Sequence, residues 1–76
     1  MAVRHNARRT KREELGMRRE ELAAVTKVSV QTIFTLEKLR PADCLLGTAI
    51  AMAFRLGLTV EEWEALGHEP YTPKEN

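Results

Sequence analysis

The stretch Arg19-Glu-Glu-Leu-Ala-Ala-Val-Thr-Lys-Val-Ser-Val-Gln-Thr-Ile-Phe-Thr-Leu-Glu37 decides the fold. It holds two helix-length segments separated by about three residues, Thr26 to Val28. The first runs from Arg18 or Arg19 to Val25 or Thr26 and turns Leu22, Ala23 and Val25 inward. Ser29 is a good N-cap for the second, which extends to about Lys38 with Ile33 and Leu36 facing in. So short a link forces the two helices to cross steeply, and the small Ala23 lets them approach: a helix-turn-helix. In that arrangement the second helix projects from the surface and can enter a DNA major groove about 12 Å wide.

Upstream, Asn6 can cap a first helix that runs to about Leu15, where Gly16 supplies a left-handed stop. Downstream, Pro41 blocks continuation of the third helix. Asp43 is the expected cap of a fourth helix ending at Leu56, with Leu46, Ala49, Ile50, Ala53 and Leu56 inward and Gly57 as its stop. Thr59 and Glu62 form a capping box that opens a short fifth helix through about Leu66, with Val60, Trp63 and Leu66 as its apolar positions. No segment alternates in the manner of a strand for more than three or four residues, so the fold class is all-α, a compact five-helix domain. The expected organisation is a flexible basic arm over 1–5, the helix-turn-helix domain over 6–66, and an irregular tail over 67–76 carrying Pro70 and Pro73.

A chain of 76 residues with 43% hydrophobic and 30% charged residues is ordinary globular material, enough for one domain. It buries only about 60–65% of its unfolded surface, which leaves no room for a large ligand cavity or a cofactor fold, so no small-molecule ligand is expected. The single cysteine, Cys44, cannot form an internal disulfide or a cysteine-rich zinc site. It reads as a small apolar core residue. The longest apolar stretch, Cys44 to Phe54, is about half a membrane span, and no signal peptide is evident, so a cytoplasmic protein without membrane contact is expected. The net charge of +1 hides an asymmetry: residues 1–20 carry seven cations against three acids, and residues 57–76 one cation against five acids. A basic start and an acidic end give one surface for a polyanion and another that faces away from it.

Residue types on the third helix suit that partner. Gln31 offers a donor and an acceptor together, which matches the N6/N7 edge of adenine. Thr32 and Thr35 can donate to phosphate or base edges, and Val30 and Phe34 can touch thymine methyl groups. Arg19, at the start of the second helix beside its free amides, is a phosphate clamp, and Arg18, Lys38 and Arg40 are positioned for backbone contacts as well. For Phe34 three placements remain open: against thymine methyls or sugars, against a protein, or folded back over a neighbouring helix.

The run Arg12 to Glu37 resembles the lambda-repressor-like, Cro-type helix-turn-helix family, also named after the xenobiotic response element regulators. The matching features are Leu15-Gly16-Met17, Glu21-Leu22-Ala23, Val28-Ser29, Gln31-Thr32-Ile33 and Leu36-Glu37, with Met52-Ala53 and Leu56-Gly57-Leu58-Thr59 further on. The resemblance spans roughly residues 6–66. It implies a sequence-specific regulator of double-stranded DNA, a repressor of the phage type, that sets its third helix in the major groove. Val30, Gln31, Phe34 and Thr35 would read bases, and Arg12, Arg18, Arg19, Thr32, Lys38 and Arg40 would hold phosphates. It also implies an ion pair between Arg12 and Glu37 that ties the first helix to the end of the third and leaves part of the guanidinium facing DNA. The family's usual small residue in the turn is Lys27 here, where a positive φ would cost about 1 kcal/mol. Its usual Gly after the third helix is Leu39.

The fourth helix is apolar nearly all round, as befits a helix buried on two sides. The resemblance implies twofold dimers on palindromic sites. Phe54, Leu58, Val60 and Trp63 are therefore expected to contribute to a homodimer interface, with Trp63 alternatively completing the monomer core. His5 and His68 lie sixty-three positions apart, so no metal site is expected from them. No Ser/His/Asp arrangement, phosphate loop or convergent carboxylate pair speaks for an enzyme, and no cofactor is expected. The rival reading is a protein-interaction module on the same fold, an antitoxin or anti-repressor that binds a toxin or another regulator through its apolar third and fourth helices.

Overall fold

A computed structural model describes residues 3–73. Five helices follow one another: α1 (Ala7–Glu14), α2 (Arg19–Thr26), α3 (Val30–Leu36), α4 (Leu46–Arg55) and α5 (Val60–Leu66). Among the described residues there is no strand, only isolated bridges pairing His5 with Lys38 and Asn6 with Pro70. The all-α reading therefore stands, and most of its punctuation is visible in the caps. The Asn6 side chain accepts from the Arg8 amide at 2.8 Å. The Ser29 hydroxyl oxygen accepts from the Thr32 amide at 3.1 Å. Thr59 and Glu62 exchange amide-to-side-chain bonds of 2.8 and 3.0 Å. Gly16 and Gly57 take φ values of 71° and 72° after α1 and α4, where a side chain would be strained. Lys27 does adopt the left-handed conformation in the turn, with φ 63°, and Arg40 joins it at 54°.

Two boundaries differ from expectation. Helix α3 stops at Leu36, two residues before Lys38, because its last carbonyls are taken by the chain's beginning. Asn6 Nδ2 donates to Leu36 O at 2.8 Å and to Lys38 O at 2.7 Å, while the Asn6 amide donates to Glu37 O at 2.7 Å. Helix α4 begins at Leu46 with Leu45 as its cap residue, so Asp43 does not cap it. Nothing in the structure explains the later start.

The core is Leu22, Ile33, Leu36, Ala49, Met52, Ala53, Leu56 and Trp63, all but excluded from water. Helix α4 packs on α2 and α5, and α5 packs on α1. The inward stripe of α4 is Ala49, Met52, Ala53 and Leu56, spaced three and four apart. Leu46 and Ile50 were expected inward and instead lie on the surface, 68% and 49% exposed. The alanines explain the rotation: their small side chains let α4 approach its neighbours closely, which larger residues at the contact would prevent. Val25 is likewise exposed, because a two-turn helix buries a single wholly inward position, here Leu22.

The supposed arm and tail are built into the fold. Leu39 N donates to Arg4 O, Tyr71 N to His5 O, and Ala7 N to Glu69 O. Residues 4 and 5 are thus not a flexible arm but the middle of a three-layer edge, between the segment after α3 and the segment after α5. Met1 and Ala2 lie outside the described residues, as do residues 74–76. The tail is irregular as expected, yet it straps α1: the Tyr71 hydroxyl donates to Glu13 at 2.6 Å, and Thr72 N donates to Thr10 Oγ1 at 3.0 Å.

Arg8 fixes the far side of that edge. Its guanidinium lies 3.5 Å from the centroid of the Trp63 ring and donates to Trp63 O at 2.9 Å and Leu36 O at 3.0 Å. A Cβ on Gly67 would fall 2.7 Å from Arg8 Nη2 and 2.8 Å from its Cζ, so the residue must be glycine for the approach rather than for its φ. Gly67→Ala should lower stability by about 1–3 kcal/mol, since the pinned guanidinium has nowhere to go. Gly47→Ala, where a Cβ would meet nothing within 4 Å on a helix, should raise it by about 0.5–1 kcal/mol. Thermal or urea unfolding of the two variants checks the contrast in sign.

Candidate nucleic-acid interface

The exposed side of α3 is positioned from beneath by a buried carboxylate. Glu37 ends α3 and is 1% exposed. Its Oε2 accepts from Arg12 Nε at 2.7 Å, and its Oε1 accepts from Arg12 Nη2 at 3.0 Å and from Arg19 Nε at 3.0 Å. One carboxylate thus ties α1, α2 and α3 together. Burial disfavours the charge of Arg12, but the hydrogen bond and charge of Glu37 more than offset it and hold the Arg12 pKa above its ordinary value. The third donor of Arg12, Nη1, goes to Met17 O at 2.8 Å.

That geometry brings Arg12 and Glu37 together and corrects the other role expected of Arg12. The residue is 5% exposed, with its guanidinium donating inward to Glu37 and Met17, so it cannot reach a phosphate in solution. Arg19 takes the outer place beside the same carboxylate and keeps about a quarter of its side chain in water.

Along α3, Val30, Gln31, Thr32 and Thr35 are exposed. The Thr35 hydroxyl donates back to Gln31 O at 3.0 Å, and Ser29 donates to Thr32 Oγ1 at 2.8 Å. The side-chain amide of Gln31 has no partner among the described residues and presents both its donor and its acceptor to solvent. Phe34 does not project as freely as its neighbours. It is half-buried, edge-on to the His5 ring at 5.6 Å, with Arg19 at 5.1 Å and Lys38 at 5.4 Å from its centroid. The ring therefore folds back onto the N-terminal segment and serves as a platform for two cations. Arg18 is held only by a 3.4 Å contact to Glu21 and is 79% exposed. Arg40 is exposed beyond the end of α3.

The expected interface residues do not act as one set. Phe54 is 80% exposed, and Leu58 and Val60 are half-buried against the core. Trp63 is wholly buried inside the monomer, under Arg8, which removes it from any surface between copies. Its place in the core follows from size: α5 contributes a single wholly buried side chain, and a tryptophan fills that space.

Three residues escaped the sequence reading. Asn6 was legible as a cap, but not as the joint that holds the ends of α3 and α1. Arg8 is, in the sequence, only one of the seven cations of residues 1–20, and only the folded chain reveals its stack on Trp63. His5 carries no local signal at all. Its ring contacts Phe34 and Tyr71, and its Nδ1 is buried without a hydrogen-bond partner among the described residues. Burial pushes the His5 pKa below its ordinary value, and the nearby Arg9 and Arg19 push the same way.

Among the described residues no group of three or more His, Cys, Asp or Glu converges as a metal site, and no helix is long and apolar enough to cross a membrane. No family model, curated protein or solved structure matches the chain.

Two outcomes follow from these contacts. Glu37→Gln should cost about 3–5 kcal/mol, because two guanidinium groups lose the charge that offsets their desolvation; chemical denaturation measures it. His5 has the opposite sign from a paired histidine. A folded-state pKa below the ordinary value of about 6.5 means that the unfolded chain takes the proton more readily. The stability contribution is therefore complete above about pH 6.5 and is lost as the pH falls below it. His5→Gln should flatten that part of the stability–pH curve, as read by thermal melts from pH 7.5 to about 5.

Proposed function

We propose that this chain is a sequence-specific regulator of double-stranded DNA, a repressor of the phage type, which binds operator half-sites as a homodimer with α3 in the major groove. The observation that carries the reading is the free edge of α3. Val30, Gln31, Thr32 and Thr35 face solvent on one short helix, Arg19, Lys38 and Arg40 lie by its C-terminal end, and the exposed Arg18 adjoins Arg19 in the chain. A helix about 10–12 Å across fits a groove about 12 Å wide, and cations at its margins meet the phosphates that border it. The resemblance of residues 6–66 to the lambda-repressor-like family supports the same reading.

The roles separate by exposure. Gln31 reads a base, with adenine as the chemical match to its paired donor and acceptor. Arg18 supplies a phosphate contact through a side chain that the fold does not otherwise need. Arg19 and Lys38, both beside Phe34, reach the backbone at the end of α3, and Arg40 follows from the turn after it. Arg12 has no direct contact with DNA in this scheme; it sets the position of Glu37 and thereby of Arg19.

Selection of bound sequences from a random duplex pool, followed by binding titrations at several salt concentrations, tests the proposal. A recovered inverted repeat with half-sites about one helical turn apart supports it. No retardation of any duplex at low salt overturns it. Gln31→Ala should lower discrimination between the selected site and a mismatched one by about 1–3 kcal/mol and leave the salt slope unchanged. Arg18→Ala should weaken all sequences alike and reduce the salt slope by about one unit. Arg18 is the better probe than Arg19, because removing Arg19 also strips a partner from the buried Glu37.

A further inference from the structure

We propose that His5 takes up a proton when a phosphate of the duplex settles on Arg19 and Lys38, so that DNA binding by this chain is tied to pH. The inference rests on the DNA-binding reading above and names a regulation of that same margin. Its ground is a single aromatic ring with three basic groups about it. The His5 ring stands edge-on to Phe34 at 5.6 Å, and the Arg19 guanidinium and Lys38 ammonium lie 5.1 and 5.4 Å from the centroid of the same ring. The backbone holds the group together: His5 bridges to Lys38, and the Tyr71 amide donates to His5 O.

Charges face the imidazole from each element packed around it. Arg9 belongs to α1; its guanidinium lies 4.3 Å from the centroid of the Tyr71 ring, which is itself 6.4 Å from the His5 ring. Arg19 comes from α2, Glu37 and Lys38 from just beyond α3, and Tyr71 from the segment after α5. The two carboxylates of this neighbourhood are already engaged. Glu13 accepts from Arg9 and from the Tyr71 hydroxyl, and Glu37 accepts from Arg12 and Arg19. The Lys38 ammonium forms no ion pair among the described residues. In the free chain, then, Arg9, Arg19 and Lys38 oppose a further positive charge on His5.

A bound phosphate reverses that field. Held by Lys38 and Arg19, it cancels the charges that oppose an imidazolium and adds a negative one. Burial also opposes the charged ring, and in the free chain it is the larger obstacle. That obstacle changes little on binding, because His5 Nδ1 is shut off from water before DNA arrives. One proton passes from solvent to the ring, and both ring nitrogens then carry hydrogen. The complex holds this proton more tightly than the free chain does, so affinity rises as the pH falls. A phosphate charge about 8 Å from the ring, acting through an effective dielectric of about 20 and screened by salt, raises the proton affinity roughly tenfold.

Proton NMR tests this on the full chain carrying His68→Gln, which leaves His5 as its single histidine. The His5 ring is titrated alone and with a random-sequence duplex at low salt. Its midpoint should lie about one pH unit higher in the complex, and duplex affinity should rise about three- to tenfold per chain from pH 8 to pH 5.5. Calorimetry at pH 6 in two buffers of different ionisation heat should show net proton uptake on binding. His5→Gln should remove the uptake and flatten the pH dependence. Lys38→Gln should weaken binding and reduce the uptake, because the phosphate then has one holder fewer beside His5. A His5 midpoint that the duplex leaves unchanged or lowers overturns the inference while the DNA-binding reading stands, and so does a pH dependence that survives His5→Gln. No duplex bound at any pH overturns the DNA-binding reading, and the inference falls with it.

Discussion

A carboxylate removed from water holds this domain in register. Glu37 sits at the one point where three helices meet, and it can be buried only because two guanidinium groups supply three hydrogen bonds to it. Such an arrangement adds little net stability relative to a well-packed apolar replacement, since the desolvation of three charged groups opposes it. Its value is directional. Apolar packing between α1, α2 and α3 would tolerate rotation, whereas a bidentate arginine fixes the orientation of the carboxylate and therefore the end of α3.

The same junction accounts for the neighbouring anatomy. The carbonyls of Leu36, Glu37 and Lys38 all accept from Asn6, two of them from its side chain, and Leu36 O accepts a second bond from Arg8 Nη1. These bonds end α3 early and leave Lys38 bridged to His5 just beyond it. Lys38 is thereby brought to 5.4 Å from the centre of the Phe34 ring, with Arg19 at 5.1 Å. The cation arrangement at the margin of α3 is a by-product of how the domain closes its core, which couples the outer charges to the inner ones.

Local chemistry was legible in the sequence, and long-range chemistry was not. The caps at Asn6, Ser29 and Thr59, the stops at Gly16 and Gly57, and the positive φ at Lys27 each depend on a few adjacent residues. The exposed Gln31 and Thr35 follow from helical spacing against Ile33 and Leu36. Hydrophobicity alone ranks Leu46 and Ile50 above Ala49 and Ala53 for the inner face of α4, while the packed structure ranks closeness of approach first. Arg12 was assigned a phosphate because a cation near a predicted DNA surface looks available, and only the folded chain shows its donors turned inward. The resemblance that suggested the Arg12–Glu37 pair named two residues; Arg19, the third member, became visible only once α2 had been placed beside them.

The strapping of α1 by the residues that follow α5 bears on how the chain acquires its shape during synthesis. Ala7 donates to Glu69 and Tyr71 donates to both His5 and Glu13, so the first helix is fastened by residues made well after it, beyond α5. Until those emerge, Asn6 lacks its bridge to Pro70, and α1 is too short to persist alone. Contacts between such distant positions slow folding relative to a bundle built from neighbours. A ribosome-bound chain stopped before Tyr71 would carry its helix-turn-helix with the Glu37 joint in place but without the strap that fastens α1.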